Sequence, residues 1–196
     1  MEYSHLLALS TFALIGSITP GPNNIMLMTS GANIGFYRTI PHMLGILFGF
    51  SFMIILVGLG LMQILTSYPT LQSTLQGLCL AYLLYLAYKI ATSNNLDNNQ
   101  PHYKPMSLLS AAGFQWINPK GWSLALSALT LYSSGMNSHY AVYIIAAVFF
   151  VAYIPSACLW VFAGQKMQKM LSDPKNLKGF NYSMASLLVL SLFFSI

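Results

Sequence analysis

Two stretches of this sequence hold residue types that could do chemistry: Thr19-Pro20-Gly21-Pro22-Asn23-Asn24 and Asn118-Pro119-Lys120-Gly121. Each interrupts an apolar run. Proline lacks a backbone donor and its ring clashes with the carbonyl one turn back, so neither run continues through as a single α-helix. A helix that restarts after the proline opens with unpaired N–H groups. That end is a ready anion site. Asn23 or Asn24 is expected to cap the first restart, because asparagine is a favoured N-cap. At the second restart Lys120 adds a full positive charge. Two such helix ends, several amide side chains and one ammonium would suit a small carboxylate.

No acidic residue falls in an apolar run. A substrate ammonium would therefore have to meet carbonyls exposed at the breaks, hydroxyls or aromatic faces. Ser17, Thr19, Gln115, Trp116 and Asn118 are the nearby candidates. The expected substrate site is Thr19, Pro20, Gly21, Pro22, Asn23, Asn24, Gln115, Asn118, Pro119 and Lys120. The plainer alternatives are a simple helix kink at each proline and an ammonium that snorkels to the membrane surface. His42 reads as a loop-edge residue, and His5, His102 and His139 as interfacial or solvated. No metal-ligand spacing links the four, and no catalytic triad or phosphate-binding loop is present. Neither an enzyme nor a cofactor is expected.

The elements that must position these residues follow from composition. The chain has 196 residues, of which 56% are hydrophobic and 6% charged. Soluble domains carry about 25% charged residues. Eight basic and three acidic residues cannot build a polar shell, and the mean hydropathy is +0.64. This is an all-α integral membrane protein. At about 20 residues per span the length allows roughly six helices and short loops. The expected spans are 5–32, 40–65, 71–91, 107–134, 139–163 and 180–196. The first and fourth contain the breaks. Non-helical backbone at membrane depth survives only where it faces protein or a water-filled cavity, so each break marks a site. Gly45 and Gly49 form a GxxxG pair that lets a neighbouring helix come close. Tyr82, Tyr85 and Tyr88 read as an interfacial belt. Thr92 to Pro105 is polar and reads as a linker, and Gln165 to Lys178 as a basic loop. Cys79 and Cys158 lie in apolar runs and read as packing residues. No cleaved signal peptide is expected, because Glu2 stands where a basic residue would be needed.

Arg38, Lys89, Lys104, Lys166, Lys169, Lys175 and Lys178 fall in alternate loops; the other loops and both ends carry no Lys or Arg. By the positive-inside rule both termini are extracytoplasmic. Each half then reads as a broken span followed by two more. Three is odd, so the second half enters from the opposite side. The chain is expected to be one transmembrane domain, 1–196, built as an inverted repeat of two three-helix units. Repeat one is about 1–91, the linker about 92–106 and repeat two about 107–196. Such repeats bring broken helices together near the midplane around a substrate.

The Pro-Gly-Pro motif at 20–22 with Asn118-Pro119-Lys120 opening the second half resembles the LysE/RhtB family of bacterial amino-acid exporters. Gly35-Phe36-Tyr37-Arg38, the glycine-rich second span and Ala81 to Ser93 (AYLLYLAYKIATS) add to the likeness, which covers nearly the whole chain. Asn23-Asn24 after the first motif, the Lys89-Ile90-Ala91-Thr92-Ser93 ending and Phe114-Gln115 resemble the branch that exports cysteine and O-acetylserine. One departure matters. Many family members carry an acidic residue after the glycine in the second span; here Phe50 follows Gly49. That argues against a cationic substrate and removes the obvious carboxylate for proton coupling. The resemblance implies proton-driven efflux of small neutral amino acids across the bacterial inner membrane. Only Lys120 and the histidines are left as proton carriers.

The expected partners are a small amino acid and membrane lipid, with no nucleic acid, because the basic residues other than Lys120 are confined to membrane-flanking loops. A homo-oligomer stays open. Two other classes compete. A membrane thiol–disulfide electron carrier can also use three-span repeats, but Cys79 and Cys158 lie away from both breaks. A metal-ion exporter would want carboxylate or thiolate ligands in the spans, and they are lacking; a drug exporter of similar size is the remaining form of this class.

Overall fold

The structure is a computed structural model that describes residues 3–61, 67, 69–92, 103, 105–133, 138–167 and 173–193. It is all-helical among the described residues. The helices are α1 (Tyr3–Ile18), α2 (Pro22–Ile34), α3 (Phe36–Leu56), α4 (Pro69–Ala91), α5 (Leu108–Phe114), α6 (Pro119–Tyr132), α7 (Ser138–Met167) and α8 (Pro174–Phe193). A π turn, Val57–Leu61, extends α3, and a 3₁₀ turn, Gln115–Ile117, follows α5. By length and composition Phe36–Leu61 and Tyr140–Met167 can each cross a membrane unaided. Tyr3–Ile18 and Leu108–Ile117 are apolar but shorter. The reason is visible at the breaks: α1 stops at Ile18 and α2 starts at Pro22, so the first expected span is two half-helices. Most of the expected linker lies outside the described residues, as does the side chain of Cys79.

α7 is the central post. It packs along α2, α3 and α1, while α4 and α8 pair at one side. One core cluster joins α1, α3, α6 and α7 through Leu9, Phe50, Met53, Ala125 and Phe149. A second joins α2, α4 and α8 through Ile25, Leu86, Phe180 and Leu188. A third, with Leu27, Ile46, Tyr153 and Val161, lies between them. Large apolar side chains also cover the outside: Ile15, Phe48 and Val151 are 56%, 55% and 65% exposed. In water this would be a liability; in lipid it is the expected outer face.

Small residues set the closest contacts. A Cβ on Gly45 would stand 2.3 Å from the Leu108 carbonyl oxygen, and one on Gly49 2.5 Å from Ala112 Cα. The GxxxG pair therefore seats α5 on α3. A tighter crossing, α2 on α7, has no such spacing to announce it. There a Cβ on Gly31 would lie 2.2 Å from Val161 O, and one on Gly164 2.0 Å from Met28 O. Both obstacles are backbone and cannot move aside. Gly164→Ala should push α2 off α7 and cost about 1–3 kcal/mol, read as a lower melting temperature in detergent. Gly77→Ala meets nothing within 4 Å and should be neutral or slightly stabilising, since glycine is a poor helix former. Equal melting temperatures for the two variants would mean that the crossing tolerates a larger side chain.

Two boundaries differ from expectation. The last helix starts at Pro174, so Lys175 and Lys178 lie in α8 and not in the preceding loop. Asp173 explains this: its carboxylate accepts from Lys175 N at 2.9 Å, and its carbonyl accepts from Leu177 N at 3.0 Å. Asp followed by Pro is a helix-start signal. His42 is not at a loop edge. It lies inside α3 and is 1% exposed.

Candidate substrate site

The first break is held open by Asn24 of α2 and by side chains from two other helices, α6 and α7. Four carbonyls in a row, from Ser17 to Pro20, lose their helical partners where the chain turns, and each is satisfied. Ser17 O accepts from Asn24 Nδ2 at 2.7 Å and from Ser156 Oγ at 2.8 Å. Ile18 O accepts from Trp160 Nε1 at 3.1 Å. Thr19 O accepts from Asn24 Nδ2 at 2.8 Å and from the Lys120 ammonium. Pro20 O accepts from Lys120 Nζ at 3.3 Å. Lys120 also donates to Thr19 Oγ1 at 2.7 Å. An unpaired carbonyl is costly wherever water is excluded; here all four have partners, although Ile18, Thr19 and Pro20 are themselves exposed.

The asparagines do not cap their helices as expected. Gly21 takes the N-cap position of α2 in an extended conformation, with Pro22 first in the helix. Asn23 and Asn24 lie one step further in and face sideways. Asn23 Nδ2 donates to Gln115 Oε1 at 2.8 Å, and Gln115 Nε2 returns a bond to Asn23 Oδ1 at 3.2 Å. That reciprocal amide pair ties the two breaks together. Asn24 caps the end of α1 instead of the start of α2, and its Oδ1 accepts from Tyr153 Oη at 3.2 Å. A second expectation also changes. The carbonyls meant for a substrate ammonium are already occupied by Asn24, Lys120, Ser156 and Trp160.

The second break is built differently. Gln115–Ile117 tightens to a 3₁₀ turn, Asn118 leaves helical geometry, and Pro119 opens α6. Asn118 is 2% exposed and its side chain makes no cap bond. Its Oδ1 is buried with no hydrogen-bond partner. A cleft of about 280 Å³, its open mouth included, lies where the breaks meet. Gly16, Ser17, Gly21, Asn23, Asn24, Phe50, Asn118, Lys120, Gly121, Leu124 and Tyr153 line it. Of the expected site residues, Gly21, Asn23, Asn24, Asn118 and Lys120 face the cleft. Thr19, Pro20 and Gln115 bond to those five, and Pro22 and Pro119 start the two half-helices. Gly21 lies under Lys120, whose Cδ would be 2.6 Å from a Cβ there. Trp116 stands apart, accepting from Trp122 Nε1 at 2.9 Å.

The family described as LysE type translocator matches residues 14–194. This chain belongs to that family. It is a family of membrane-embedded efflux transporters, not of enzymes. The chain is 30% identical over 168 residues to the cysteine/O-acetylserine efflux proteins of Salmonella choleraesuis (strain SC-B67) and Salmonella typhimurium, covering 84% of each chain. It is 30% identical over 127 residues to the protein of that name from Escherichia coli O157:H7, covering 65% of each. No solved structure matches. For a translocator of this family the cleft is the natural place to look for cargo. Among the described residues no cluster of three or more His, Cys, Asp or Glu could hold a metal ion.

Sequence reasoning missed three residues of α7. Tyr153, Ser156 and Trp160 all reach the first break. Spacings of three and four put them on one face of that helix. Polar groups at helical spacing inside an apolar run were the available signal. Cys158, between them, is a half-buried free thiol.

Proposed function

We propose that the chain is a secondary transporter that exports small neutral amino acids or their derivatives, such as cysteine and O-acetylserine, driven by the proton gradient. One observation carries the site assignment: the buried Asn118 amide oxygen, without a partner, in the cleft that Lys120 also lines, where two half-helices begin. An unsatisfied buried polar group is costly and calls for an explanation. A bound amino acid supplies one. Its carboxylate would meet Lys120 and the first-turn N–H groups of α2 and α6. Its ammonium would meet Asn118 Oδ1. The sequence's acidic residues, Glu2, Asp97 and Asp173, all lie outside the apolar runs, which favours neutral over cationic substrates. The names of the similar efflux proteins favour the same choice. The substrate-binding residues are Thr19, Pro20, Gly21, Pro22, Asn23, Asn24, Gln115, Asn118, Pro119 and Lys120.

The same proposal gives the chain six spans in one domain, 1–196. The inverted repeat has halves of about 1–91 and 107–196 and lies in a bacterial inner membrane. Efflux of radiolabelled amino acids from loaded vesicles tests the function. Cysteine and O-acetylserine should leave faster than from empty-membrane controls, faster still under a pH gradient, and lysine should not. Lysine export equal to that of cysteine, or no amino-acid efflux at all, would overturn the reading. Orientation is tested separately. If the basic loops set it, a C-terminal reporter active only outside the cytoplasm should be active. A reporter of the opposite kind should be silent, and the reverse pattern would refute the outward-facing termini.

A further inference from the structure

Gly121 is a buried glycine that packing does not explain. A Cβ on Gly31, Gly45, Gly49 or Gly164 would meet the backbone of a neighbouring helix at under 3.0 Å, and one on Gly21 would meet the Lys120 side chain. A Cβ on Gly121 would find its nearest atoms, Asn118 Nδ2 and Met53 Cε, both at 3.5 Å, an ordinary contact distance. Gly121 sits in the first turn of α6 and needs no positive φ. Alanine would be the better helix former there. The bare Cα instead lines the cleft, with Lys120 and Leu124 of the same helix.

The cleft is polar at the breaks and apolar away from them. The polar end holds Lys120 and the unpartnered Asn118 Oδ1. Leu124 stands one turn after Gly121 on the same face of α6. Its Cδ2 reaches across to α1, where a Cβ on Gly16 would be 2.6 Å away. That contact closes the apolar end. Phe50 of α3 adds an apolar wall; it is buried, with its ring edge-on to Phe149 at 5.4 Å and tilted against Tyr153 at 6.4 Å. Among the described residues Lys120 is the one charged side chain lining the cleft.

We propose that the side chain of the transported amino acid lies over Gly121 and points toward Leu124, and that these two residues set the largest side chain carried. This rests on the reading of the cleft as an amino-acid site. With the carboxylate and ammonium held at the breaks by Lys120 and Asn118, the side chain points away from both breaks. The wall that runs that way is the face of α6 from Gly121 to Leu124. Gly121 leaves room, Phe50 flanks, and the contact between Leu124 and Gly16 is the stop. A methyl, thiol or acetyl-ester side chain suits such a wall. A charged one would be buried against Phe50 and Leu124 without a counter-ion, which is unfavourable. A benzyl group would run into Leu124.

The test uses the purified full chain in liposomes loaded in turn with radiolabelled alanine, O-acetylserine and phenylalanine, under one fixed pH gradient. Wild type should release phenylalanine slowest. Gly121→Ala puts a methyl in the path of the side chain. Efflux of O-acetylserine relative to alanine should fall about tenfold, the discrimination that one methylene gives in an apolar pocket. Its melting temperature should be no lower than that of wild type, since nothing obstructs the Cβ. Leu124→Ala opens the closed end, and phenylalanine should gain about tenfold on alanine. The assignment is overturned if Gly121→Ala slows alanine and O-acetylserine to the same degree, slows neither, or melts lower than wild type. It is also overturned if wild type releases phenylalanine as fast as alanine, or if folded Leu124→Ala gives phenylalanine no gain. Should Leu124→Ala not fold, the Gly121→Ala ratio decides alone. Wild-type vesicles that release none of the three would overturn the transport reading itself, a result distinct from efflux whose size preference both substitutions leave unmoved.

Discussion

Lys120→Gln is expected to lower export by about 10- to 100-fold, the factor that corresponds to losing one charge-assisted hydrogen bond of about 1.5–3 kcal/mol. The ammonium does two things in this structure. It fills the carbonyls of Thr19 and Pro20 at the broken end of α1, and it places a positive charge at the first turn of α6, beside the cleft. Glutamine can still donate a hydrogen bond but brings no charge to a substrate carboxylate. Binding of radiolabelled substrate to purified protein should weaken in parallel with export. Lys120→Arg keeps the charge, yet presents a planar fork in place of a compact ammonium; part of the binding should survive. Melting temperature separates the two roles. A variant that melts like wild type and fails to bind has lost a ligand contact. Wild-type export by well-inserted Lys120→Gln would reduce Lys120 to a snorkelling side chain and remove it from the site.

The second large effect is expected from Pro20→Ala combined with Pro22→Ala. With both prolines replaced, the two positions regain backbone donors, and the chain from Ile18 to Asn23 can close into helix. The carbonyls of Ser17, Ile18 and Thr19 would then bond along the helix and release Asn24, Lys120 and Trp160. The N–H groups that open α2 would be paired and lost to an anion. Export should fall about tenfold or more, by the same hydrogen-bond arithmetic, while insertion, read by protease protection of the loops, stays normal. A well-expressed double variant with wild-type efflux would mean the motif is only a kink.

Much of the site was legible because its first cause is local. Proline removes a donor wherever it stands, so breaks at Pro20–Pro22 and Pro119 follow from the sequence alone, as does Lys120 at the start of a helix. Composition fixed an all-helical membrane protein for a similar reason: eleven charges cannot cover 196 residues in water. Gly45 and Gly49 were legible from their spacing on one helix face.

Partners were not legible, because a side chain's partner depends on which helices meet. Asn24 has the residue type of an N-cap, yet the approach of α1 and α7 turns it onto the carbonyls of Ser17 and Thr19. Asn23 and Gln115 are 92 positions apart and pair only because the two breaks are brought together. His42 read as a loop edge, yet it lies inside α3 and is buried beside Ser30 of α2. Asn118 and Asn23 look alike in sequence; packing gives one a reciprocal partner and leaves the other's buried oxygen with none. Local covalent constraint is written residue by residue, whereas hydrogen-bond satisfaction in a medium without water is settled only when every neighbour is in place.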